Sequence, residues 1–307
     1  MLGGMPKAFP ETELSMDDIS YSVVSPVKKC ILDIPALPQR MTYKPLAQYF
    51  SDHLMACYMD YWVYRQHLSK DYQCWTFNLD KPSTQWKSVH PPPEKLWYST
   101  SVAKDNKFII IGGSANYSDY MGEMNGTDLV QEYDITTGIW SFGVPLPFPL
   151  FEGCAVNTDS GIVVLGDFEG GAFNAYTLVD NMWHPLPRSI YYHTSPACAQ
   201  VSVKNENVLI ALSGQNLEYF SFVENKWIKM KPPGVIRSKY KTPTVGMSFG
   251  NLVISGGVDM ENIEVSDKIE SWDETLSAWN TVPERKYSGR NDHSDISLPS
   301  SYLSCEI

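Results

Sequence analysis

The chain has 307 residues, of which 43% are hydrophobic and 19% charged, and its formal net charge is −11. The 9 Trp, 18 Tyr and 12 Phe residues supply enough large side chains for a packed core, so this composition excludes an intrinsically disordered chain. The excess of acidic residues, without a cluster of Lys and Arg, disfavours nucleic acid and anionic membrane surfaces as partners.

The N-terminal region divides into two parts. Residues 1–18 show no alternation of apolar and polar residues, so we predict a tail over 1–18 and a folded domain over 19–307. The stretch "DISYSVVSPVKKCILDIP" at 18–35 has room for two short strands. The sequence as written shows no signal-peptide pattern and no run of 18 apolar residues, which predicts a cytoplasmic location, or an extracellular one if the N-terminus is incomplete.

A repeat organises the rest of the chain. Five tryptophans recur at intervals of 54, 43, 44 and 52 residues: Trp86, Trp140, Trp183, Trp227 and Trp279. In the last four units an aromatic residue stands seven positions before the Trp, as in "YDITTGIW" at 133–140. Each unit contains short runs of β-branched and aromatic residues, separated by Gly, Asn and Pro. Four antiparallel strands in units of this length are typical of β-propeller blades.

The blade interpretation assigns a place to each kind of side chain. The third strand ends on the aromatic residue and the fourth begins with Trp, so the two rings can fill the wedge between neighbouring sheets. Cys154 and Cys198 each lie 29 residues before their Trp, in the first strand of their blades, and we interpret them as small residues suited to crowded inner strands.

Two double-glycine segments add a family resemblance. "IIIGG" at 109–113 and "VISGG" at 253–257 each close a second strand ahead of the aromatic-x6-Trp signal, and the combined pattern resembles kelch repeats. The resemblance implies an all-β, kelch-type β-propeller of six four-stranded blades. Five blades are marked by Trp, and the sixth is closed by strands from both termini. Three units depart from the pattern at the glycines: Cys57-Tyr58, Gly166-Asp167 and Ser213-Gly214.

Catalytic motifs are not evident. Some proteins with this resemblance are copper-radical sugar oxidases, which need two His and two Tyr converging on one metal. The six histidines here are scattered, and His193 and His293, at the entries of first strands, are interpreted as structural. The sequence also has no phosphate-binding loop and no Gly-x-Ser-x-Gly elbow. We therefore expect no cofactor, no metal and no enzymatic activity.

Binding by one propeller face is the stronger prediction. Loops between second and third strands, and those between blades, emerge on the same face. The long loop at 58–73 is rich in Tyr, Trp and Arg, residue types enriched at interfaces, and the polar loop at 114–128 adds two Tyr. The alternative is that these rings cover their own blade. The candidate partner-binding residues are Tyr58, Tyr61, Trp62, Tyr64, Arg65, Tyr117, Tyr120, Arg237 and Arg290. The connections between blades also contain Trp97, Phe148, Phe151, Tyr191, Tyr192, Tyr240 and Arg285.

Two functions follow from this face. The first is a non-catalytic module that binds another protein or peptide, acts as a monomer and binds neither nucleic acid nor membrane. The alternative is a sugar-binding or carbohydrate-active propeller, in which aromatic rings stack on a saccharide. A ubiquitin-ligase adaptor role is not supported, because only a short segment precedes the first predicted strand.

Cysteines and sequons bear on the compartment. Cys57 and Cys74 fall on neighbouring strands at the two feet of the 58–73 loop, and we predict a disulfide between them if the natural chain begins upstream with a signal sequence. Asn116 and Asn125 each begin an Asn-x-Ser/Thr sequon in an exposed loop, and they are possible glycosylation sites. Free cysteines in a cytosolic protein are the alternative.

Overall fold

The computed structural model describes residues 5–6, 30–31, 34–38, 45–59, 72–81, 85–115, 125–168, 175–203, 205–237, 243–248, 251–261, 264–266, 268–274, 277–282, 290–291, 300–302 and 304–305. Within these ranges every regular element is a β-strand except a 3-10 helix at Ser300–Tyr302, and no helix has the length and apolar character needed to cross a membrane. The chain divides into two compact units, one formed by Met1–Pro91 with Pro233–Ile307 and the other by Pro92–Pro232.

The N-terminal part of the first unit contains one four-stranded sheet. The strands of this part of the chain are β1 (Met5–Pro6), β2 (Cys30–Ile31), β3 (Leu46–Phe50), β4 (His53–Met59), β5 (Tyr72–Asn78) and β6 (Lys87–Val89). The sheet has the order β3-β4-β5-β6, and each strand is antiparallel to its neighbour. This is the order of a propeller blade, in which consecutive strands pair.

The second unit, Pro92–Pro232, consists of three such sheets. Their strands are β7 (Thr100–Lys104), β8 (Lys107–Ile111), β9 (Val130–Asp134), β10 (Ile139–Phe142), β11 (Leu150–Thr158), β12 (Gly161–Phe168), β13 (Ala175–Val179), β14 (Met182–Pro185), β15 (Ala197–Val203), β16 (Glu206–Ser213), β17 (Asn216–Ser221) and β18 (Lys226–Lys229). The sheets are β7–β10, β11–β14 and β15–β18, each antiparallel with strands in chain order.

The C-terminal part of the first unit adds a fifth four-stranded sheet. The strands of this part of the chain are β19 (Thr244–Ser248), β20 (Asn251–Ser255), β21 (Val258–Asp259), β22 (Glu264–Val265), β23 (Ile269–Asp273), β24 (Ala278–Thr281), β25 (Arg290–Asn291) and β26 (Ser304–Cys305). The sheet order is β19-β20-β23-β24, and β21 pairs with β22 between its second and third strands. The fold is therefore all-β and of the β-propeller class.

The described residues form five blades, not the six predicted from the sequence. Strands from the two ends of the chain do pair, β1 with β25 and β2 with β26, but these are two-stranded sheets of two residues per strand. In the described residues these two pairs are separate two-stranded sheets, so they do not make the four-stranded sheet of a blade. β1 lies within residues 1–18, which the sequence analysis predicted to be a tail. A strand of two residues is too short to produce a periodic pattern of apolar residues in the sequence.

The second unit has its core between adjacent sheets. On β12, Ile162 and Val164 pack with residues of the β7–β10 sheet, whereas Val163 and Leu165 pack with residues of the β15–β18 sheet. Both faces of this strand are covered, which is why it is a continuous apolar run rather than an alternating one. Each of these side chains contributes about 1.5–3 kcal/mol by leaving water.

Three of the recurring tryptophans join their blade to the segment that leads into it. The indole N–H of Trp183 donates to the Val144 carbonyl (3.1 Å), and that of Trp227 donates to the Pro187 carbonyl (2.8 Å). In the first blade the indole N–H of Trp86 donates to Pro35 (2.9 Å). In these three blades the repeated Trp therefore supplies a hydrogen bond as well as a large ring.

The aromatic–Trp pairs differ in register between blades. Phe220 lies directly opposite Trp227, with ring centroids 5.3 Å apart, but Tyr176 lies opposite Pro185 rather than Trp183. The difference follows from the turns. A two-residue turn, Asp180-Asn181, joins β13 to β14, whereas four residues join the equivalent strands β17 and β18. Equal spacing in the sequence thus gives two different pairings.

The first double glycine allows close approach of backbone. Gly113 has φ +104°, and a Cβ there would lie 2.3 Å from Ser99 Oγ and 2.6 Å from the Trp97 carbonyl oxygen. We therefore expect Gly113→Ala to lower the free energy of unfolding by more than about 1 kcal/mol in a urea titration. The control is Gly246→Ala on β19, where a Cβ would meet nothing within 4 Å, and its expected change is within about 0.5 kcal/mol. Equal effects of the two substitutions would contradict this explanation.

Candidate functional site

Three consecutive blades of the second unit have left-handed backbone at a non-glycine residue that lies in the first strand or two residues before it. The residues are Tyr98 (φ 58°), Glu152 (φ 52°) and Ser195 (φ 44°). The other described non-glycine residues with positive φ lie in hairpin turns, where that conformation is ordinary. Left-handed backbone costs about 1–3 kcal/mol per residue and is found preferentially at ligand-binding and active sites.

Side chains at these three positions make two separate contacts, one of which is with the neighbouring Phe151. The rings of Tyr98 and Phe151 are tilted, with centroids 4.8 Å apart, and Ser195 Oγ donates a hydrogen bond to Glu152 Oε2. Ser195 is buried, whereas Tyr98, Phe151 and Glu152 are half-buried. We call Tyr98, Phe151, Glu152 and Ser195 the entry cluster. It consists of one ring pair and one carboxylate–hydroxyl pair, linked through the consecutive residues Phe151 and Glu152 of β11.

Local backbone features hold the centre of the entry cluster. The ladder between β11 and β12 shifts register between Phe151 and Cys154, and such irregularities redirect side chains. The Gly113 N–H donates to the Leu150 carbonyl (2.9 Å), and the Leu150 N–H donates to the Thr127 carbonyl (3.0 Å). Gly113 and Thr127, near the two ends of the connection from β8 to β9, therefore contact the start of β11. This is the end of the strands at which the sequence analysis predicted a binding face.

A buried carboxylate or amide supports the connection into each of three blades. Gln131, Glu218 and Glu270 all lie two residues before the third-strand aromatic residue and are buried. Gln131 Oε1 accepts from the Glu94 N–H (2.8 Å) and its Nε2 donates to the Glu94 carbonyl (3.0 Å). These contacts fix a segment that would otherwise have unpaired backbone groups.

In the blade that carries Ser195 this support is a carboxylate. Glu218 accepts hydrogen bonds from the N–H groups of Ile190 and Tyr191, each at 3.0 Å, and from His193 Nε2 at 2.8 Å. His193 and Glu218 are fully buried. His193 thus has the structural role predicted for it, and Glu218 fixes the segment that leads to Ser195.

The fifth blade repeats the arrangement with arginine. Glu270 accepts from the N–H groups of Gly234 (2.6 Å) and Val235 (3.1 Å) and forms an ion pair with Arg237. Sequence reasoning missed all three supporting residues. Their signal was a Gln or Glu two positions before the repeated aromatic residue in three of five units.

Two of the predicted partner-binding residues are core residues instead. Tyr58 is 2% exposed because β4 is covered on both faces, and its hydroxyl donates to Gln73 Oε1 (3.4 Å). Arg237 is 2% exposed and is held by Glu270 and by the Gly256 carbonyl (2.9 Å from Nε). Tyr and Arg are common at interfaces, but the residue type alone did not show that these two side chains are buried.

The remaining predicted residues give less information. Arg290 lies on β25, and Asn125 is exposed just before the Thr127–Leu150 bridge. The others lie outside the described residues: Tyr61, Trp62, Tyr64, Arg65, Asn116, Tyr117 and Tyr120.

Among the side chains that the structure describes, two disulfides are formed, one in each unit. Cys57 and Cys74 lie directly opposite each other on β4 and β5 and are bonded, with Cα atoms 4.1 Å apart. Cys154 and Cys198 join the first strands of consecutive blades, with Cα atoms 5.9 Å apart. The predicted placement of Cys154 and Cys198 in first strands is confirmed, but the sequence analysis missed the bond between them. Their equal distance of 29 residues from Trp was the signal, since it places them at equivalent points of neighbouring strands.

The C-terminal 3-10 helix packs on the first blade. Tyr302 donates its hydroxyl proton to Asp80 Oδ1 (2.5 Å), the same hydroxyl oxygen lies 3.0 Å from Asp52 Oδ1, and the ring lies edge-on to Tyr49. The hydrogen bond to Asp80 is the main reason that the pKa of Tyr302 is raised above its ordinary value. Among the described residues, no group of three His, Cys, Asp or Glu side chains has an arrangement that could hold a metal ion.

Comparison with known proteins adds evidence on the fold. No protein-family model and no curated protein matches the chain. The chain is similar to a solved structure titled "Structure of YjhT", with 15% sequence identity, a TM-score of 0.62, and coverage of 87% of this chain and 90% of the other. At this identity the likeness supports the β-propeller fold alone, because one fold hosts many functions.

Proposed function

We propose that the protein is a non-catalytic, monomeric interaction module that binds a basic segment of another protein at the entry cluster. The observation that carries this proposal is the left-handed backbone at Tyr98, Glu152 and Ser195, outside any hairpin turn. Such strain persists where the surrounding structure holds it, and it is concentrated at binding sites. The blades would be of kelch type, as suggested by the Gly112-Gly113 segment and the recurring Trp.

The chemistry of the entry cluster favours a cationic side chain. The rings of Tyr98 and Phe151 offer faces to an Arg or Lys head group, and the Glu152 carboxylate supplies the opposite charge. The net charge of −11 would also steer a basic partner toward the protein and repel nucleic acid and anionic membranes.

The compartment proposed for this function is extracellular. Two disulfides are typical of proteins that mature under oxidising conditions, and the exposed Asn125 sequon fits the same route. The partner would accordingly be a secreted or cell-surface protein.

Binding to peptide arrays tests the proposal. We expect wild-type protein to bind peptides rich in Arg and Lys, with weaker binding to matched peptides in which Gln replaces the basic residues. Glu152→Gln keeps an acceptor for Ser195 but removes the charge, and should weaken binding by about 1.5–3 kcal/mol, or roughly 10- to 150-fold. Phe151→Ala should also weaken binding, through loss of the ring pair.

Matched controls lie on or beside the fourth strands of their sheets, away from the first strands that carry the entry cluster. Glu224→Gln changes the same charge in the β17–β18 turn, and Phe142→Ala removes an exposed ring from β10. Neither should alter peptide binding. Equal weakening by Glu152→Gln and Glu224→Gln would contradict a specific site. A glycan-array signal without any peptide signal would overturn the proposal in favour of the sugar-binding alternative.

A further inference from the structure

We propose that Cys30 and Cys305 form a third disulfide, which joins the two ends of the chain. The inference does not depend on the proposed function. β2 and β26 are antiparallel, with Cys30 directly opposite Cys305 and Ile31 directly opposite Ser304. The two cysteines are 275 positions apart in the sequence, so their apposition is a result of the strand pairing.

The register alone satisfies the distance requirement of a disulfide. Directly opposite residues of an antiparallel pair have Cα atoms about 4.5 or 5.5 Å apart, according to whether they exchange hydrogen bonds. Both values lie within the range of about 4.4–6.8 Å that disulfides span. A shift of one residue would place the two cysteines on opposite faces, so this pairing depends on the observed register.

The same relation already produces a disulfide elsewhere in this chain. Cys57 and Cys74 are also directly opposite on adjacent antiparallel strands, and they are bonded. Cys154 and Cys198 form the second bond. The chain has six cysteines, so Cys30 and Cys305 are the two that remain. An oxidising compartment that forms the first two bonds would also oxidise a facing pair of thiols.

The chemistry is an ordinary thiol–disulfide exchange. The two thiols lose two protons and two electrons as the S–S bond forms, and the disulfide of an oxidoreductase is reduced to two thiols. The bond would hold a strand pair of only two residues per strand, which has few hydrogen bonds of its own. It would also close the longest of the three loops.

Peptide mapping without reduction tests the bond in protein from its native source. Trypsin should release residues 30–40 and a peptide that begins at Asn291, each with one cysteine. We expect a single linked species that is two hydrogens lighter than the sum of the two peptides and that separates on reduction. Free alkylated thiols at either position, or linkage of Cys30 to any other cysteine, would overturn the proposal.

Substitution gives an independent test. Cys30→Ser, Cys305→Ser and the double variant should lower the melting temperature by the same amount, because each removes the whole bond. Each single variant should expose one thiol that reacts with maleimide, and the wild type none. Ser304→Ala, next to Cys305 on β26, is the control and should leave both readouts unchanged. Additive losses in the double variant would contradict a shared bond. If the variants do not fold, the wild-type peptide map still decides the question.

Discussion

Replacing Glu218 with alanine is expected to lower the free energy of unfolding by about 3–5 kcal/mol, since it removes the shared acceptor of three hydrogen bonds in the core. Glu218 accepts from two backbone N–H groups and from His193. The substitution leaves all three donors buried without their acceptor, so the desolvation of these groups is no longer offset. The measurement is a urea titration followed by tryptophan fluorescence.

A second acidic residue provides a matched control. Glu132 also lies on a third strand and also forms an ion pair, with Lys107 Nζ at 2.6 Å, but the Lys107 side chain is 45% exposed. Glu132→Ala should therefore change stability by less than about 1 kcal/mol. If Glu218→Ala and Glu132→Ala had equal effects, Glu218 would not be the support that we describe.

The binding readout separates this role from that of the entry cluster. Glu218 has no exposed atoms, so a partner would not contact it. We expect Glu218→Ala to reduce peptide binding only in proportion to the loss of folded protein, unlike Glu152→Gln, which should weaken binding by folded molecules.

The sequence predicted the blades well because their signals are local. The turn residues and the Trp of each fourth strand recur within a single unit, and strands built from them form as predicted around Trp140, Trp183, Trp227 and Trp279. The prediction of six blades failed for the opposite reason. It depended on pairing between residues more than 250 positions apart, for which a single sequence contains no register information.

The candidate site was harder to predict than the fold. Phe151 was among the aromatic residues noted between blades, but Tyr98, Glu152 and Ser195 were not, because left-handed backbone at these residue types has no compositional signature. Arg237 and Tyr58 were wrongly placed on the surface because residue type does not reveal burial. The site depends on how neighbouring blades meet, which is tertiary information.

Removing the disulfide between Cys154 and Cys198 should destabilise the second unit by about 4 kcal/mol on the loop-entropy model, because the bond closes a loop of 44 positions. The test is Cys154→Ala with Cys198→Ala, compared with Cys57→Ala with Cys74→Ala. The latter bond closes 17 positions, so its removal should cost about 3 kcal/mol.

The two bonds should also differ in their effect on binding. Cys154 lies two residues after Glu152, and Cys198 three residues after Ser195, so the bond lies next to the hydrogen bond between them. Its loss frees the first strands β11 and β15 from each other, and the entry cluster then loses preorganisation. We expect the Cys154/Cys198 double variant to bind basic peptides more weakly even at temperatures where it is fully folded, whereas the Cys57/Cys74 double variant should bind as the wild type does. Unchanged binding by the first variant would show that Glu152 and Ser195 hold their positions without the cross-link.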